Sequence, residues 1–246
     1  MRRQRTVRLI SEKWMSEKRR NKIIMAKYHV VEIFESINGE GMRAGELAVF
    51  VRMRDCNLRC SYCDTAWACR KEAPCTIMSE EEICKRVLES GIRNVTLTGG
   101  EPLLQPDIEK LLQRLTAEKT LRLEIETNGS IDVAPYRKLD RPPVFTLDYK
   151  LPGSGMEEQM CLDNFHSVTP QDTVKFVVSD DRDLTRAREM IEEYELPKRC
   201  HVIFSAVFDR IDPQEIVAFM QKHCMNDVRL QLQMHKLIWD PEQRSV

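Results

Sequence analysis

Cys56, Cys60 and Cys63 form a Cys-x3-Cys-x2-Cys run directly behind the apolar segment Leu47 to Met53. Three thiolates on one tight loop can converge on a single centre, and thiolates select zinc or an iron–sulfur cluster. A structural zinc closes with four protein ligands, and Asp64, Cys69 or Cys75 could supply the fourth. A cubic cluster normally takes four cysteines; with three, one iron stays open to a small molecule. The spacing alone leaves zinc and iron–sulfur level. Cys84, Cys161, Cys200 and Cys224 read as isolated small hydrophobes.

Other residues stand out against their surroundings. Thr98-Gly99-Gly100-Glu101-Pro102 ends a strand, and its two glycines can expose backbone to a ligand's amino group or merely make a βα turn. Arg52 lies in an apolar strand, where a buried guanidinium needs an anionic partner, and its fork fits a carboxylate. Glu40, set between Gly39 and Gly41, has no packing reason to be there and suits the acceptance of ring N–H groups. His235 either stacks in the same site or closes the last strand.

The elements that must position these residues alternate in type. Strands are predicted at Val30 to Phe34, Leu47 to Met53, Val95 to Thr98, Leu121 to Glu126, Val144 to Leu147, Val174 to Val178, His201 to Ser205 and Val228 to Leu232. A helix opens at Ser79, where Glu82 completes a capping box and Ile83, Cys84, Val87 and Leu88 share one face. A second runs from Pro106 to Ala117, and further helices fall near 181–195 and 213–223. Strands alternating with helices argue for parallel βαβ units, and about seven such strands suit a barrel or partial barrel. In such folds chemistry sits on the loops leaving the C-terminal strand ends, where the unusual residues of this chain lie.

Composition bounds the rest. The 246 residues are 42% hydrophobic and 31% charged, enough for one full core. A net charge of −1 gives no whole-chain case for nucleic acid or membrane binding, and no apolar run is long enough to span a bilayer. Nine cysteines, an odd number, do not read as a disulfide framework, so a reducing cytoplasm is expected. Residues 1–25 hold nine basic side chains against Glu12 and Glu17, giving +7 and leaving −8 on the remainder. They are read as a solvated, disordered basic arm before a core domain at 26–246, rather than as an RNA-binding arm.

The pairing of the cysteine run with Thr98-Gly99-Gly100-Glu101-Pro102 resembles the radical S-adenosylmethionine superfamily. Within it, three stretches are closely similar to the 7-carboxy-7-deazaguanine synthase family: Glu32 to Gly41, Ala48 to Arg52, and Cys56 to Thr65. Glu126-Thr127-Asn128-Gly129 and Gln233-Met234-His235-Lys236 add to the match. The resemblance implies an α/β fold, a modified or partial (β/α) TIM-like barrel. It implies a [4Fe–4S] cluster on Cys56, Cys60 and Cys63. It assigns Tyr62, Cys63, Asp64, Gly100, Asp148, Tyr149, Lys150, Ser205, Ala206, Val207 and Phe208 to S-adenosylmethionine and Thr65 to Mg2+. Ile37, Asn38, Gly39, Glu40, Arg52, Thr98 and Pro241 border the substrate, with His235 a further candidate. Two departures are Asn38, where the family usually has Gln, and Asp148-Tyr149-Lys150, where it often has Ser-Pro-Lys.

The implied reaction is that of a lyase. It converts 6-carboxy-5,6,7,8-tetrahydropterin to 7-carboxy-7-deazaguanine and ammonia, toward queuosine and related deazapurines. A homodimer and an electron donor such as flavodoxin or ferredoxin are implied as partners. The other classes carried forward are a glycyl-radical-enzyme activase, which shares the cysteine spacing, and a non-catalytic zinc-binding interaction module.

Overall fold

The computed structural model describes residues 26–241 and 243–246. The basic arm at 1–25 lies outside the described residues. One nine-stranded sheet organises the rest: β1 (Tyr28–Ile37), β2 (Leu47–Met53), β3 (Thr76–Met78), β4 (Asn94–Gly99), β5 (Arg122–Thr127), β6 (Val144–Tyr149), β7 (Thr173–Val178), β8 (His201–Ala206) and β9 (Val228–Leu230). The order across the sheet is β3-β1-β2-β4-β5-β6-β7-β8-β9, so it curves as a partial barrel with β3 and β9 at its open edges.

From β2 to β9 every neighbouring pair is parallel. The first pair departs from the βαβ expectation. β1 and β2 run antiparallel, with Glu32 opposite Arg52 and Phe34 opposite Phe50. The connection at 38–46 is too short for the crossover of about a dozen residues that a parallel return needs. β3, which the sequence patterning did not reveal, is a three-residue strand on the outer edge of β1. β9 is also shorter than expected and ends at Leu230.

The helices are α1 (Glu80–Glu89), α2 (Ile108–Ala117), α3 (Asn164–Ser167), α4 (Asp181–Glu193), α5 (Pro213–Lys222) and α6 (Met234–Ile238). Ser79 caps α1 in the expected box with Glu82. Ile83, Cys84 and Val87 are buried, but Leu88 sits at the edge of that face and is 40% exposed. α2 begins at Ile108 rather than Pro106, because Pro102–Leu104 makes a separate 3-10 turn and Asp107 takes a left-handed φ of 53°. Ile108, Leu111, Leu112 and Leu115 face the core as their 3.6-residue spacing requires. Among the described residues no helix is long and apolar enough to cross a membrane.

Two crossovers carry little or no α-helix. The β5–β6 connection runs through a 3-10 turn at Ala134–Lys138, and the β6–β7 connection holds only the four residues of α3 as α-helix. A buried ion pair joins these segments. Asp172, fully buried, accepts from Arg137 Nη2 at 2.5 Å, from the Phe145 N–H at 2.8 Å, and from the Thr169 N–H at 2.7 Å. The Arg137 guanidinium lies 4.5 Å from the Phe145 ring centroid and also donates to the Ser167 carbonyl. One carboxylate thus ties the N-terminal ends of β6 and β7 to both irregular connections. Removing one partner of a buried pair strands the other charge, at a cost of about 3–5 kcal/mol. Asp172→Ala is expected to lower the unfolding free energy by that order in urea titrations, while Lys110→Ala, which removes an exposed pair with Asp107, should leave it nearly unchanged.

Candidate active site

The cysteine loop starts where β2 ends. Asp55 adopts a positive φ of 76°, turning the chain off the strand, and its side chain accepts the Cys56 N–H at 2.9 Å. Arg59 then clamps the loop from within, donating to the carbonyls of Cys56 and Leu58, each at 2.6 Å. Ser61 fixes it to the segment after β6, its N–H on the Ser154 carbonyl and its hydroxyl on the Gly153 carbonyl.

Cys56, Cys60 and Cys63 all face one cavity of about 640 Å³ at the C-terminal strand ends. Hydrogen bonding from Cys69 draws the Cys56 thiol down to about 6 and the Cys63 thiol down to about 7, against the effect of burial. Burial pushes Cys60 up to about 11. Cys69 was an open candidate ligand; its sulfur lies 3.9 Å from that of Cys63, whereas Cys75 does not line the cavity. Among the described residues no three His, Cys, Asp or Glu side chains already close on a single ion. Cys69 borders the same cavity, so the thiols fronting this space number four; such a soft donor set fits an iron–sulfur cluster on Cys56, Cys60 and Cys63, and by its chemistry alone would also accept zinc.

The two glycines of the Thr98-Gly99-Gly100-Glu101-Pro102 turn have a packing reason that the sequence did not reveal. A Cβ on Gly99 would lie 2.2 Å from the Met53 carbonyl oxygen, and one on Gly100 would lie 1.9 Å from that of Asp55. The ends of β4 and β2 press together so closely that only glycine fits, and both residues still border the cavity. Glu101 is fully buried and accepts from the N–H groups of Leu103 and Asn128 and from the Thr127 hydroxyl. Burial outweighs those donors and pushes its carboxyl up to about 7.

The cavity floor is charged. Lys175 on β7 donates to Glu40 at 3.0 Å and lies 3.6 Å from Asp148, whose other neighbour is Lys150 at 2.8 Å. Burial works to raise the Glu40 carboxyl, yet Lys175 and the Ser205 hydroxyl, at 2.6 Å, together hold it below its usual range. Burial opposes the Lys175 charge, but Glu40, Asp148 and Glu126 raise its pKa well above that of a free lysine. Glu126 accepts from Thr98 at 2.9 Å and is pushed up by burial. One oxygen of Asp148 and the Asn38 amide nitrogen are buried without a hydrogen-bond partner among the described residues.

One wall is aromatic. Phe34 and Phe50 stack with centroids 5.0 Å apart, and the Arg52 guanidinium lies 5.5 Å from the Phe34 ring and 5.8 Å from that of Trp67. Arg52 Nε is bonded to Glu32 at 2.7 Å, which satisfies the anionic partner a semi-buried guanidinium needs while Arg52 still borders the cavity. The Arg244 guanidinium also lies over the Trp67 ring, 4.4 Å from its centroid. The His235 ring packs on Gly39, where a Cβ would meet it at 2.6 Å, so His235 belongs to the site as well as to the helix α6. Burial lowers its pKa and favours the neutral ring.

Most of the sequence-predicted set is gathered here. Ile37, Gly39, Glu40, Thr98 and Pro241 border the cavity, as do Tyr62, Asp64, Thr65, Ala206, Val207 and Phe208. Three of the predicted residues do not line it. Tyr149 points to the opposite face of β6, packing on Phe165 and Phe176 and bonding Glu157, because alternate residues of a strand face opposite ways. Asn38 turns beneath the floor to accept from Thr96, and Ser205 is fully buried under Glu40. Lys175, Glu126 and Trp67 were missed. The reasoning applied to Arg52, a lone cation in an apolar strand, would have found Lys175 in Thr173–Val178.

The family model described as the Radical SAM superfamily matches residues 50–149. The 7-carboxy-7-deazaguanine synthase of Clostridium acetobutylicum is 50% identical over 219 residues, spanning 89% of this chain and 99% of that protein. That of Chlorobaculum tepidum is 36% identical over 224 residues, spanning 90% and 98%. Among solved structures, QueE from Escherichia coli superposes with a TM-score of 0.65 at 20% identity, covering 85% of this chain and 95% of that one. This last likeness speaks for the fold. On the identity and coverage shared with the first two relatives, the chain belongs to the 7-carboxy-7-deazaguanine synthase family of the radical S-adenosylmethionine superfamily.

Proposed function

We propose that the protein is a lyase that converts 6-carboxy-5,6,7,8-tetrahydropterin to 7-carboxy-7-deazaguanine and ammonia. The observation that carries this reading is that one cavity is bordered both by Cys56, Cys60 and Cys63 and by Arg52, Glu40, Glu126 and Lys175. When bound, a [4Fe–4S] cluster and S-adenosylmethionine would supply the organic radical that opens the substrate to ring contraction. The three thiols would hold the cluster. Gly100, Asp148 and Lys150 border the space beside them, and the unpartnered Asp148 oxygen offers an acceptor to the amino or hydroxyl groups of the cofactor.

The chain's own residues bind and orient. Lys175 and Ser205 keep Glu40 ionised and fixed, so that it can accept N–H groups from the pterin edge. Glu126, held by Thr98, adds a second acceptor nearby. The terminal nitrogens of Arg52 suit the substrate carboxylate, and Phe34, Trp67 and His235 give flat surfaces for a planar ring. The Thr65 hydroxyl donates to Asp64 at 2.9 Å, and these two oxygen-bearing side chains, both bordering the cavity, are the ones that would offer ligands to a hard ion such as Mg2+. An electron donor of the flavodoxin or ferredoxin class, a cytoplasmic location and a homodimeric state belong to the same reading.

The direct test is anaerobic turnover of the reconstituted full chain with the tetrahydropterin, following the deazaguanine product and bound iron and sulfide. Iron with product supports the reading; bound zinc without iron would replace it with a zinc module. Cys60→Ala is expected to lose the cluster's absorbance and turnover together. Arg52→Lys retains a charge for Glu32 but loses the planar fork, and kcat/KM should fall by an amount equivalent to about 2 kcal/mol or more; unchanged kinetics would make Arg52 structural. Thr65→Val keeps the shape and removes one oxygen. Its activity should rise less with added Mg2+ than the parent's, with S-adenosylmethionine affinity little changed, and a parental Mg2+ response would shift the assignment to Asp64.

A further inference from the structure

We propose that Asn128 is a positioning residue for the cluster: its carboxamide donates a hydrogen bond to the Cys56 sulfur and thereby raises the potential at which the cluster takes up an electron. This rests on the reading above that Cys56 ligates the cluster.

Asn128 follows β5 directly and is buried. Its side-chain nitrogen lies 3.5 Å from the Cys56 sulfur and 3.1 Å from the Asn57 side-chain oxygen. Its side-chain oxygen accepts the Ser130 N–H at 2.9 Å and the Ser130 hydroxyl at 2.6 Å. A backbone N–H can only donate, so the oxygen must face Ser130 and the amino group must face Cys56. The flip ambiguity of an amide is thus settled by its partners. The residue's own N–H is anchored on Glu101 at 2.7 Å. Glu101, from the turn after β4, therefore holds a donor at the end of β5 against a thiol on the loop after β2. The Leu58 N–H, 3.4 Å away, is a second donor to the same sulfur.

Hydrogen bonds to ligand sulfurs are one of the main levers on cluster potential. A donor aimed at sulfur stabilises the reduced state, which carries one more negative charge. Removal of water from the site strengthens the effect. Asn128 reaches the reacting atoms only through Cys56. A purely structural role, stitching Asn57 and Ser130 together, makes a different prediction, and the variants separate the two. In Asn128→Ala the donor is gone. In Asn128→Asp the shape and the Ser130 bonds are kept, but an oxygen replaces the donor and repels the sulfur.

The experiment is an EPR-monitored redox titration of the reconstituted full chain, with iron and sulfide measured on each sample. The expected order of midpoint potentials is parent highest, Asn128→Ala lower and Asn128→Asp lowest, at equal cluster content. Equal midpoints, or an Asp variant closer to the parent than the Ala variant, would overturn the proposal in favour of the structural role. Pulsed EPR of the parent labelled with 15N-asparagine gives a check that does not depend on a variant loading its cluster. A weak 15N coupling to the reduced cluster, absent in Asn128→Ala, is expected; where neither variant loads, a parent showing no such coupling overturns the proposal. A parent chain that takes up no iron would overturn the functional reading and this inference with it, and is told apart from the other outcomes by the iron analysis.

Discussion

The buried ammonium of Lys175 is the interaction on which the rest of the cavity depends. The interior of a (β/α) barrel is ordinarily filled by layers of branched apolar side chains. Here β5, β6 and β7 turn Glu126, Asp148 and Lys175 inward, and the loop after β1 adds Glu40. Three carboxylates in low dielectric cannot all ionise without a counter-charge. At an effective dielectric of 20, one pair at about 4 Å gains about 4 kcal/mol of Coulomb energy, set against a desolvation penalty of several kcal/mol per ion. Lys175 between Glu40 and Asp148 makes that balance tolerable, and the result is a polar space rather than a packed core.

The open sheet gives that space its mouth. Because β1 returns antiparallel along β2, Phe34, Phe50 and Arg52 come together as a largely aromatic wall beside the charged residues of the cavity. Irregular crossovers after β5 and β6 leave their C-terminal ends free to hold the cysteine loop, through Asn128 on one side and Ser154 on the other. The Asp172–Arg137 pair anchors these same crossovers from below, so stability at the N-terminal strand ends and chemistry at the C-terminal ends are divided between the two faces, as in barrels generally.

The two departures from the family pattern now have structural settings. The shorter Asn38 does not reach the cavity, and its oxygen is spent on Thr96 beneath the floor. Asp148-Tyr149-Lys150 divides by strand alternation: the charged pair enters the cavity, while Tyr149 joins an aromatic cluster on the other face of β6. The acidic residue this stretch carries is a partner of both Lys150 and Lys175, which makes it part of the charge balance of the site.

The sequence by itself determined the cysteine loop, the strand ends that bear the unusual residues, and the capped amphipathic helices. These are local properties: cysteine spacing within eight residues, period-two and period-3.6 patterning, and a capping box need no distant partner. Tertiary structure decided the rest. That β1 pairs antiparallel, that Gly99 and Gly100 answer to the backbone of Met53 and Asp55, and that Arg52 already holds Glu32 are facts of strand register. That Lys175 meets Glu40, 135 residues away in sequence, depends on sheet order. Such contacts are set by how strands stack and which face each residue presents, and no single segment of the chain encodes the position of its eventual neighbour.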